Sequence, residues 1–249
     1  MKNNPKISIG VVFFNEAGKI EVLLNRFKDL KIRFSYKVLF INDGSTDNSV
    51  DIVKDYLNRN QPKNIEIISN KMNRGVGFTI RRIIHYGLKN KFDICVIMAG
   101  NGKDNPVEIP LLLSPIMQNN YDYVQGSRFL RGGSFKNLPF FRKFFIRSFT
   151  YIVSLFTGFK CSDSTNGFRA YKLSIFKDKR INIDQNWLDR YEFETYLHVK
   201  VITLGYLIKE VGVSKNYLQN VKNYSKIRPF IDWWKLARPL FLLKFGFRN

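Results

Sequence analysis

Three loops in the first half of the sequence are rich in residues that bind polar ligands. They are Asn15-Glu16, the run from Asn42 to Asp47, and the run from Asn73 to Gly77. Carboxylate and amide groups form hydrogen bonds with a base and a ribose, and glycines let the backbone approach a ligand closely. These residue types favour a nucleotide site, although the second loop, taken alone, is equally typical of a turn followed by a helix cap.

Each of these loops follows a short apolar run with the composition of a buried parallel strand. The sequence predicts four such strands, at Ile7 to Phe14, Lys37 to Asn42, Ile65 to Ser69 and Asp93 to Met98. Segments with apolar residues at helical spacing separate them. This alternation predicts an α/β fold with a mostly parallel sheet flanked by helices, right-handed crossovers and a ligand crevice at the carboxyl ends of the strands. All three polar loops then face one crevice.

The chain is strongly basic, with 41 lysines and arginines against 20 aspartates and glutamates, which gives a formal charge of +21. Such a charge attracts nucleic acids, anionic lipids and phosphorylated small molecules. From Ser127 onward, basic residues alternate with aromatic and aliphatic ones, which favours a lipid interface. No nucleic-acid-binding motif occurs in the sequence, so we expect no nucleic acid among the partners.

Two segments, Phe140 to Phe149 and Phe230 to Phe247, concentrate aromatic and basic residues. Helices at a membrane interface use this composition, with aromatic rings at headgroup level and basic side chains reaching lipid phosphate. Packing into the protein core is the alternative, although Pro239 argues against one long core helix in the second segment. We expect amphipathic aromatic–basic helices towards the carboxyl terminus, with one globular domain at residues 1–228 and an interfacial tail at residues 229–249.

Several protein classes lose support from residues that are scarce. The two cysteines, Cys95 and Cys161, and the two histidines have no zinc-ligand spacing and cannot form a disulfide framework. No stretch approaches the roughly 20 apolar residues of a membrane-spanning helix. The amino terminus lacks the features of a secretory signal. We expect a cytoplasmic protein that lies peripherally on the inner face of a membrane.

Eight short motifs occur in an order that indicates a known family. They are FFNEAGKI (13–20), INDGSTDNS (41–49), NRGVG (73–77), MAGNGKDNP (98–106), GSRF (126–129), DSTNGFRAYK (163–172), YEFET (191–195) and YSKI (224–227). From Ile7 to about Lys226 the sequence resembles family-two glycosyltransferases with the Rossmann-like GT-A fold, most closely their polyprenyl- or dolichyl-phosphate sugar synthase branch. A Rossmann dinucleotide enzyme would instead need GxGxxG after the first strand, where this chain has NEAGK.

The resemblance assigns the polar loops to a nucleotide-sugar donor and the basic residues to an acceptor phosphate. The implied donor-binding residues are Phe14, Asn15, Glu16, Asp43, Ser45, Asn73, Gly75, Gly100, Asn101 and Lys103. The implied phosphate cradle consists of Arg128, Arg142, Arg147, Ser225 and Lys226. Arginine suits this role because it offers several donors in a planar fork. The catalytic candidates are Arg128, Asp163, which would orient the acceptor side, and Glu194, which would act as a base towards a hydroxyl acceptor.

The sequence departs from the family at the loop after the fourth strand. Family members usually carry Asp-x-Asp there to bind Mg²⁺ or Mn²⁺, whereas this chain has Ala99 and Asn101. Two alternatives follow: Lys103 supplies the charge of the metal, or Asn101 and Asp104 hold a cation together. The missing carboxylates favour the first alternative and place the usual metal requirement in doubt.

These expectations describe an inverting transferase that moves a sugar from a nucleotide sugar to a polyprenyl phosphate at the cytosolic face of a membrane. The expected partners are the nucleotide sugar, the lipid-linked acceptor, an anionic membrane surface and an anchoring membrane protein. Two other functions stay open. One is transfer to a saccharide hydroxyl during cell-surface polysaccharide synthesis, and the other is a non-catalytic subunit that binds nucleotide sugars or lipid phosphates.

Overall fold

The computed structural model describes residues 4–217, Lys226 and residues 231–246. The strands are β1 (Ile7–Phe13), β2 (Tyr36–Asn42), β3 (Ile65–Ser69), β4 (Ile94–Ala99), β5 (Tyr123–Ser127), β6 (Ser134–Lys136), β7 (Arg169–Lys172), β8 (Ile208–Gly212) and β9 (Ser214–Asn216). The helices are α1 (Ala17–Arg26), α2 (Ser49–Asn60), α3 (Val76–Lys89), α4 (Ile109–Asn119), α5 (Phe140–Thr157), α6 (Glu192–Thr203) and α7 (Ile231–Lys244). The four predicted strands correspond to β1–β4 within one or two residues.

Seven strands form one sheet in the order β3-β2-β1-β4-β7-β5-β8. β1 pairs in parallel with both β2 and β4, and β2 pairs in parallel with β3. The carboxyl ends of these four strands therefore open onto one edge, as the sequence predicts. β7 runs antiparallel between β4 and β5, and β8 pairs in parallel with β5. The mostly parallel α/β architecture is confirmed.

Helices cover both faces of the sheet, which explains why its central strands are continuous apolar runs rather than alternating ones. Alternate side chains of β1, such as Ile9 and Val11, pack against α1, α2 and α4. Leu39 and Ile41 of β2 point to the opposite face, where α3 and α6 lie. Each of these four side chains is fully buried. Replacing one of the buried isoleucines with alanine would lower the free energy of unfolding by about 2–5 kcal/mol. This packing holds the strands, and with them the loops at the strand ends, in place.

A third apolar cluster packs the last three helices, α5, α6 and α7, against one another. It contains Phe149 and Val153 of α5, Val199 of α6, and Leu236 and Leu240 of α7. The inner face of α7 is therefore packed, so this described part of the predicted tail contributes one face to the core. The argument from Pro239 against a long core helix is wrong, because α7 continues through this proline. Burial of Leu236 and Leu240 beside it offsets the lost backbone hydrogen bond.

The outer face of α5 is exposed and apolar. The exposed fractions are 75% for Phe140, 82% for Phe141, 66% for Phe144, 64% for Tyr151, 51% for Ile152 and 68% for Leu155. Their spacing places them on one side of the helix. Within the described part of the chain, no helix is both long enough and apolar enough to span a bilayer.

Candidate active site

The loops after β1 and β2 are tied together through Asn15. This residue has a left-handed backbone (φ 49°), which asparagine adopts more readily than most residues. Its N–H donates to Ser45 Oγ at 2.9 Å, and its Oδ1 accepts the N–H of Thr46 at 2.8 Å. Asn15 and Ser45, which were both predicted to contact the donor, thus lie side by side at the sheet edge.

Asp43 fixes the loop after β3. Its Oδ1 accepts the N–H of Arg74 at 3.0 Å and Asn70 Nδ2 at 2.8 Å, and its Oδ2 accepts the N–H of Gly75 at 2.8 Å. Gly75 has a φ of 105°, and any side chain there would collide with the backbone of Asp189. The Asp43 carboxylate thus accepts three hydrogen bonds from the loop after β3 and fixes its conformation. The same loop carries Asn73, which is half-buried.

Glu16 lies between two lysines at the start of α1. Its Oε2 accepts Lys19 Nζ at 2.8 Å, and its Oε1 accepts Lys226 Nζ at 2.8 Å. Lys226 also donates to the carbonyl of Asn15 at 3.1 Å and lies 5.1 Å from the ring centroid of Phe14. Lys226, which was predicted for the acceptor cradle, therefore lies beside the first polar loop, Asn15-Glu16. Ser225, predicted for the same cradle, lies outside the described residues.

The loop after β4 begins with a close backbone approach. A Cβ at Gly100 would lie 2.6 Å from Phe13 Cβ, so glycine lets β4 end against β1. The next side chain, Asn101, accepts the N–H of Lys103 at 3.2 Å. Asp104 is fully buried, and its Oδ1 accepts Lys215 Nζ at 2.7 Å. Asp104 Oδ2 is buried and accepts no hydrogen bond from the described residues.

These residues do not fit a divalent metal. Mg²⁺ needs several oxygen ligands at short distances, and Ala99 offers none. Asn101 is engaged by the loop backbone, and Asp104 already binds the ammonium of Lys215. This buried positive charge disfavours a second cation on the same carboxylate, because like charges repel strongly where water is excluded. Among the described residues, no group of three histidine, cysteine, aspartate or glutamate side chains could hold a metal ion.

Tyr217 is the centre of a cluster of cations. Its ring centroid lies 5.0 Å from Lys103 Nζ and 5.7 Å from the Arg142 guanidinium carbon, and its hydroxyl accepts Arg128 Nη1 at 2.7 Å. Burial, together with the neighbouring positive charges of Arg142, Lys215 and Lys19, lowers the pKa of Lys103 to about 7, while the carboxylate of Asp104 opposes this shift.

Arg128 forms a buried two-point ion pair with Asp163. Arg128 Nε and Nη2 each donate to a different carboxylate oxygen of Asp163 at 2.6 Å, and Nη2 also donates to Thr165 Oγ1 at 2.8 Å. Burial disfavours the charge of the guanidinium, but the Asp163 carboxylate outweighs burial and raises the pKa of Arg128. Asp163 is itself held by Glu210, which accepts the N–H groups of Ser162 and Asp163.

The remaining predicted residues lie around this pair. Arg147 is exposed on α5, with its guanidinium carbon 5.7 Å from the ring centroid of Phe129. Glu194 is half-buried on α6, and its Oε1 lies 2.7 Å from where a Cβ would stand on Gly167. Gly167 therefore leaves the space that the Glu194 carboxylate occupies beside the DSTNG loop.

Sequence reasoning missed two residues of this site, Tyr217 and Lys215. Tyr217 lies 89 positions from Arg128, and Lys215 lies 111 positions from Asp104. Neither belongs to a recognisable motif, so no local signal marks them. The parallel pairing of β6 with β9 places both residues at the site. The N–H of Tyr217 extends this ladder of hydrogen bonds by donating to the carbonyl of Lys136 at 3.1 Å.

A buried polar chain leads from the core to Asp163. His198 Nδ1 lies 3.0 Å from the Tyr123 hydroxyl, and His198 Nε2 lies 3.2 Å from Cys161 Sγ. Tyr123 also bonds to Gln125, which in turn donates to the carbonyl of Asp163. Burial lowers the pKa of His198 well below its usual range, and Arg169 adds to the effect. A neutral imidazole therefore packs in the core.

The sheet order and the four loops at its edge define a GT-A glycosyltransferase. The chain belongs to glycosyl transferase family 2, whose family model matches residues 8–179. The predicted family, fold and enzyme class are thereby confirmed. A curated UDP-N-acetylglucosamine–dolichyl-phosphate N-acetylglucosaminyltransferase from Methanococcus voltae is 28% identical over 179 residues, covering 66% of this chain and 68% of the relative. An undecaprenyl-phosphate mannosyltransferase from Micrococcus luteus is 26% identical over 201 residues, covering 81% of this chain and 79% of the relative.

Solved structures support the fold independently. Glucosyl-3-phosphoglycerate synthase from Mycobacterium tuberculosis, in a complex with Mn²⁺, uridine diphosphate and phosphoglyceric acid, superposes with a TM-score of 0.69 at 15% identity. The match covers 100% of this chain and 81% of that structure. Mannosyl-3-phosphoglycerate synthase from Rubrobacter xylanophilus gives a TM-score of 0.68 at 13% identity, with coverages of 98% and 76%. At these identities the likeness concerns the fold.

Proposed function

We propose that this protein transfers a sugar from a nucleotide-sugar donor to a polyprenyl phosphate, with inversion at the anomeric carbon, at the cytosolic face of a membrane. The observation that carries the proposal is the cationic cluster on Tyr217, which joins the donor loops to a helix with an exposed apolar face. Arg142 of that cluster and Phe144 of the apolar face lie on the same helix, α5. An acceptor with a phosphate head and an apolar tail matches this pairing. The names of the curated relatives point the same way.

A phosphate acceptor suits a site without an obvious catalytic base. Phosphate is already ionised near neutral pH, so positioning and charge neutralisation can carry the reaction. Arg128 and Arg142, with Arg147 at the rim, would hold the acceptor phosphate. Asp163 would act as a positioning residue, because both of its oxygens fix the guanidinium plane of Arg128. Glu194 would be needed as a base only for a hydroxyl acceptor.

The exposed apolar face of α5 would lie on an anionic bilayer, together with the outer side of α7. On α7, the exposed fractions are 58% for Trp234 and 50% for Phe241, and Phe245, directly after the helix, is 63% exposed. The ring of Phe145 on α5 stacks on Trp233 of α7 with centroids 4.3 Å apart, so the two helices form one surface. Lysines and arginines on α5 complement lipid phosphates. This surface would bring the acceptor phosphate to the cationic cluster.

Liposome cosedimentation tests the membrane part of the proposal. The double variant Phe141→Ser/Phe144→Ser should reduce binding to anionic vesicles by at least about tenfold, because each buried phenylalanine contributes about 1.5–3 kcal/mol. The control Val22→Ser/Leu111→Ser removes exposed apolar side chains from α1 and α4 and should leave binding unchanged. Salt should weaken binding of the parent protein. Unchanged binding of the α5 variant would exclude this surface.

Product analysis tests the activity. The purified protein is incubated with polyprenyl phosphate and a panel of nucleotide sugars, and mass spectrometry follows the glycosylated lipid phosphate. We expect one donor to give product. A protein that binds nucleotide sugars and polyprenyl phosphate but converts none of them would favour the non-catalytic binding subunit instead.

A further inference from the structure

The site has a fixed order across the sheet. The loops after β1, β2 and β3 form its donor half, and Arg128, at the end of β5, lies in the acceptor half. The loop after β4 lies between them, because β4 pairs with β1 on one side and β7 separates it from β5 on the other. With a nucleoside in the donor half and a phosphate beside Arg128, the donor diphosphate must lie over the β4 loop.

Lys103 is the cation that the β4 loop contributes at this place. Lys103 is 6% exposed, and its ammonium lies 5.0 Å from the centroid of the Tyr217 ring, whose hydroxyl binds Arg128. Asp104 is the other charged residue of the loop, and its Oδ1 is bound to the ammonium of Lys215. The Asp104 carboxylate is therefore neutralised by its own lysine, and Lys103 supplies the amine of this loop that can bind a phosphate.

We propose that Lys103 neutralises the donor diphosphate in place of a divalent metal. This inference rests on the proposed transferase function. It follows from the misfit of the metal ligands: Ala99 has no oxygen, and Asn101 Oδ1 binds the backbone of its own loop. An ammonium group carries three donors for phosphate oxygens and needs no ligand set. The ring of Tyr217 positions this ammonium, 5.0 Å from its centroid.

The transfer needs no reactant other than the nucleotide sugar and the acceptor phosphate. An oxygen of the acceptor phosphate forms a bond to the anomeric carbon while the bond from that carbon to the donor diphosphate breaks. The bonding electrons leave with the nucleoside diphosphate, so negative charge grows on its terminal phosphate. Lys103 donates to that phosphate, where a fixed cation stabilises the transition state more than the ground state.

Calorimetric titration of nucleoside diphosphates tests the inference without turnover. UDP, GDP, CDP and dTDP are titrated in excess EDTA and again with Mg²⁺. The nucleotide that binds should do so with the same affinity, within about twofold, under both conditions. Lys103→Met keeps the length of the side chain and should weaken binding by about tenfold or more, as expected for loss of a charge-assisted hydrogen bond. Lys103→Arg keeps the charge and should retain more affinity than Lys103→Met.

A matched control is Lys54→Met, which removes the same charge from an exposed position on α2 and should bind like the parent protein.

The second readout is sugar transfer to polyprenyl phosphate in EDTA. Transfer in EDTA that Lys103→Met abolishes supports the inference. Transfer that requires added Mg²⁺ or Mn²⁺ overturns it and leaves the proposed function intact. EDTA-resistant binding that depends on Lys103, without transfer from any nucleotide sugar, would support this role of Lys103 and overturn the proposed function. Absence of nucleotide binding in EDTA overturns the inference.

Discussion

The proposed donor half and acceptor half of the site are held together by different interactions. In the donor half, backbone N–H groups that donate to a side chain organise the loops, as in the bonds from Arg74 and Gly75 to Asp43. In the acceptor half, Arg128 is bound to Asp163 in a buried ion pair, and a second buried pair joins Lys215 to Asp104 of the adjoining β4 loop. These donor loops depend on backbone conformation, whereas the acceptor half depends on paired charges.

This difference predicts unequal sensitivity to substitution. A single neutral hydrogen bond contributes about 0.5–1.5 kcal/mol, whereas removing one partner of a buried ion pair costs about 3–5 kcal/mol. The acceptor half should therefore lose stability when one charge is removed. In the donor half, substitutions should have a large effect mainly at positions that require glycine, and this effect should be a weaker affinity for the nucleotide.

Asp163→Asn should have the largest effect. The substitution leaves the Arg128 guanidinium buried without its counter-charge, and we expect the free energy of unfolding to fall by about 3–5 kcal/mol. Chemical denaturation measures the change. The control Asp184→Asn removes an exposed carboxylate that pairs with His85, and it should change stability by less than about 0.5 kcal/mol. Equal effects of both variants would show that the two halves are not held differently.

Tyr217→Phe should show whether the acceptor half depends on the hydroxyl of its central ring. The ring would remain beside Lys103, but Arg128 would lose the acceptor that lies 2.7 Å from its Nη1. Loss of a hydrogen bond to a charged group costs about 1.5–3 kcal/mol. We expect this loss in unfolding experiments, together with slower turnover and unchanged nucleotide affinity. Weakened nucleotide binding would instead place the hydroxyl in the donor half.

Gly75→Ala should disturb the donor half through the backbone. A side chain at a φ of 105° is strained and would meet the Asp189 carbonyl, so we expect a cost of about 1–3 kcal/mol and weaker nucleotide binding. Gly18→Ala is the matched control, because Gly18 lies in α1 with open space around it. Alanine there should raise helix stability by about 0.5–1 kcal/mol. Unimpaired nucleotide binding of Gly75→Ala would contradict the role of this loop.

The pH dependence of stability should show the smallest effect. Since burial lowers the pKa of His198 in the folded protein, the unfolded chain binds more protons as the pH falls through the ordinary histidine pKa near 6.5. This contribution to stability is present above that pH and is lost below it. Between pH 7 and pH 6 the loss should be about 0.7 kcal/mol. His198→Gln should remove this part of the slope in denaturant titrations, and an unchanged slope would contradict the buried neutral imidazole.

The fold of the donor half was predictable because its signals are local. Each of β1–β4 is a short apolar run that ends in turn residues, and parallel pairing then brings the loops to one edge. Each polar loop, such as Asn15-Glu16, is a short uninterrupted run of residues, so it can be recognised in the sequence. The structure places Asn15 beside Ser45, and Asp43 beside Gly75, as that reasoning expects.

The acceptor half was less predictable because its contacts join distant parts of the chain. The sequence gives no sign that β7 inserts antiparallel between β4 and β5, or that Lys215 reaches Asp104. Lys226 was predicted beside the acceptor phosphate, but it binds Glu16, 210 positions away. Charge composition predicts a basic surface, yet it cannot assign each lysine to a partner.

The nature of the acceptor is tested most directly by comparing acceptors with the donor that proves active. Polyprenyl phosphate, the matching polyprenol and an oligosaccharide are offered to the parent protein and to Glu194→Gln, and mass spectrometry identifies each product. We predict transfer to polyprenyl phosphate alone, at a similar rate in both proteins, because an ionised phosphate needs no base. Transfer to the polyprenol or the oligosaccharide that disappears in Glu194→Gln would contradict a phosphate acceptor and assign the protein to hydroxyl glycosylation.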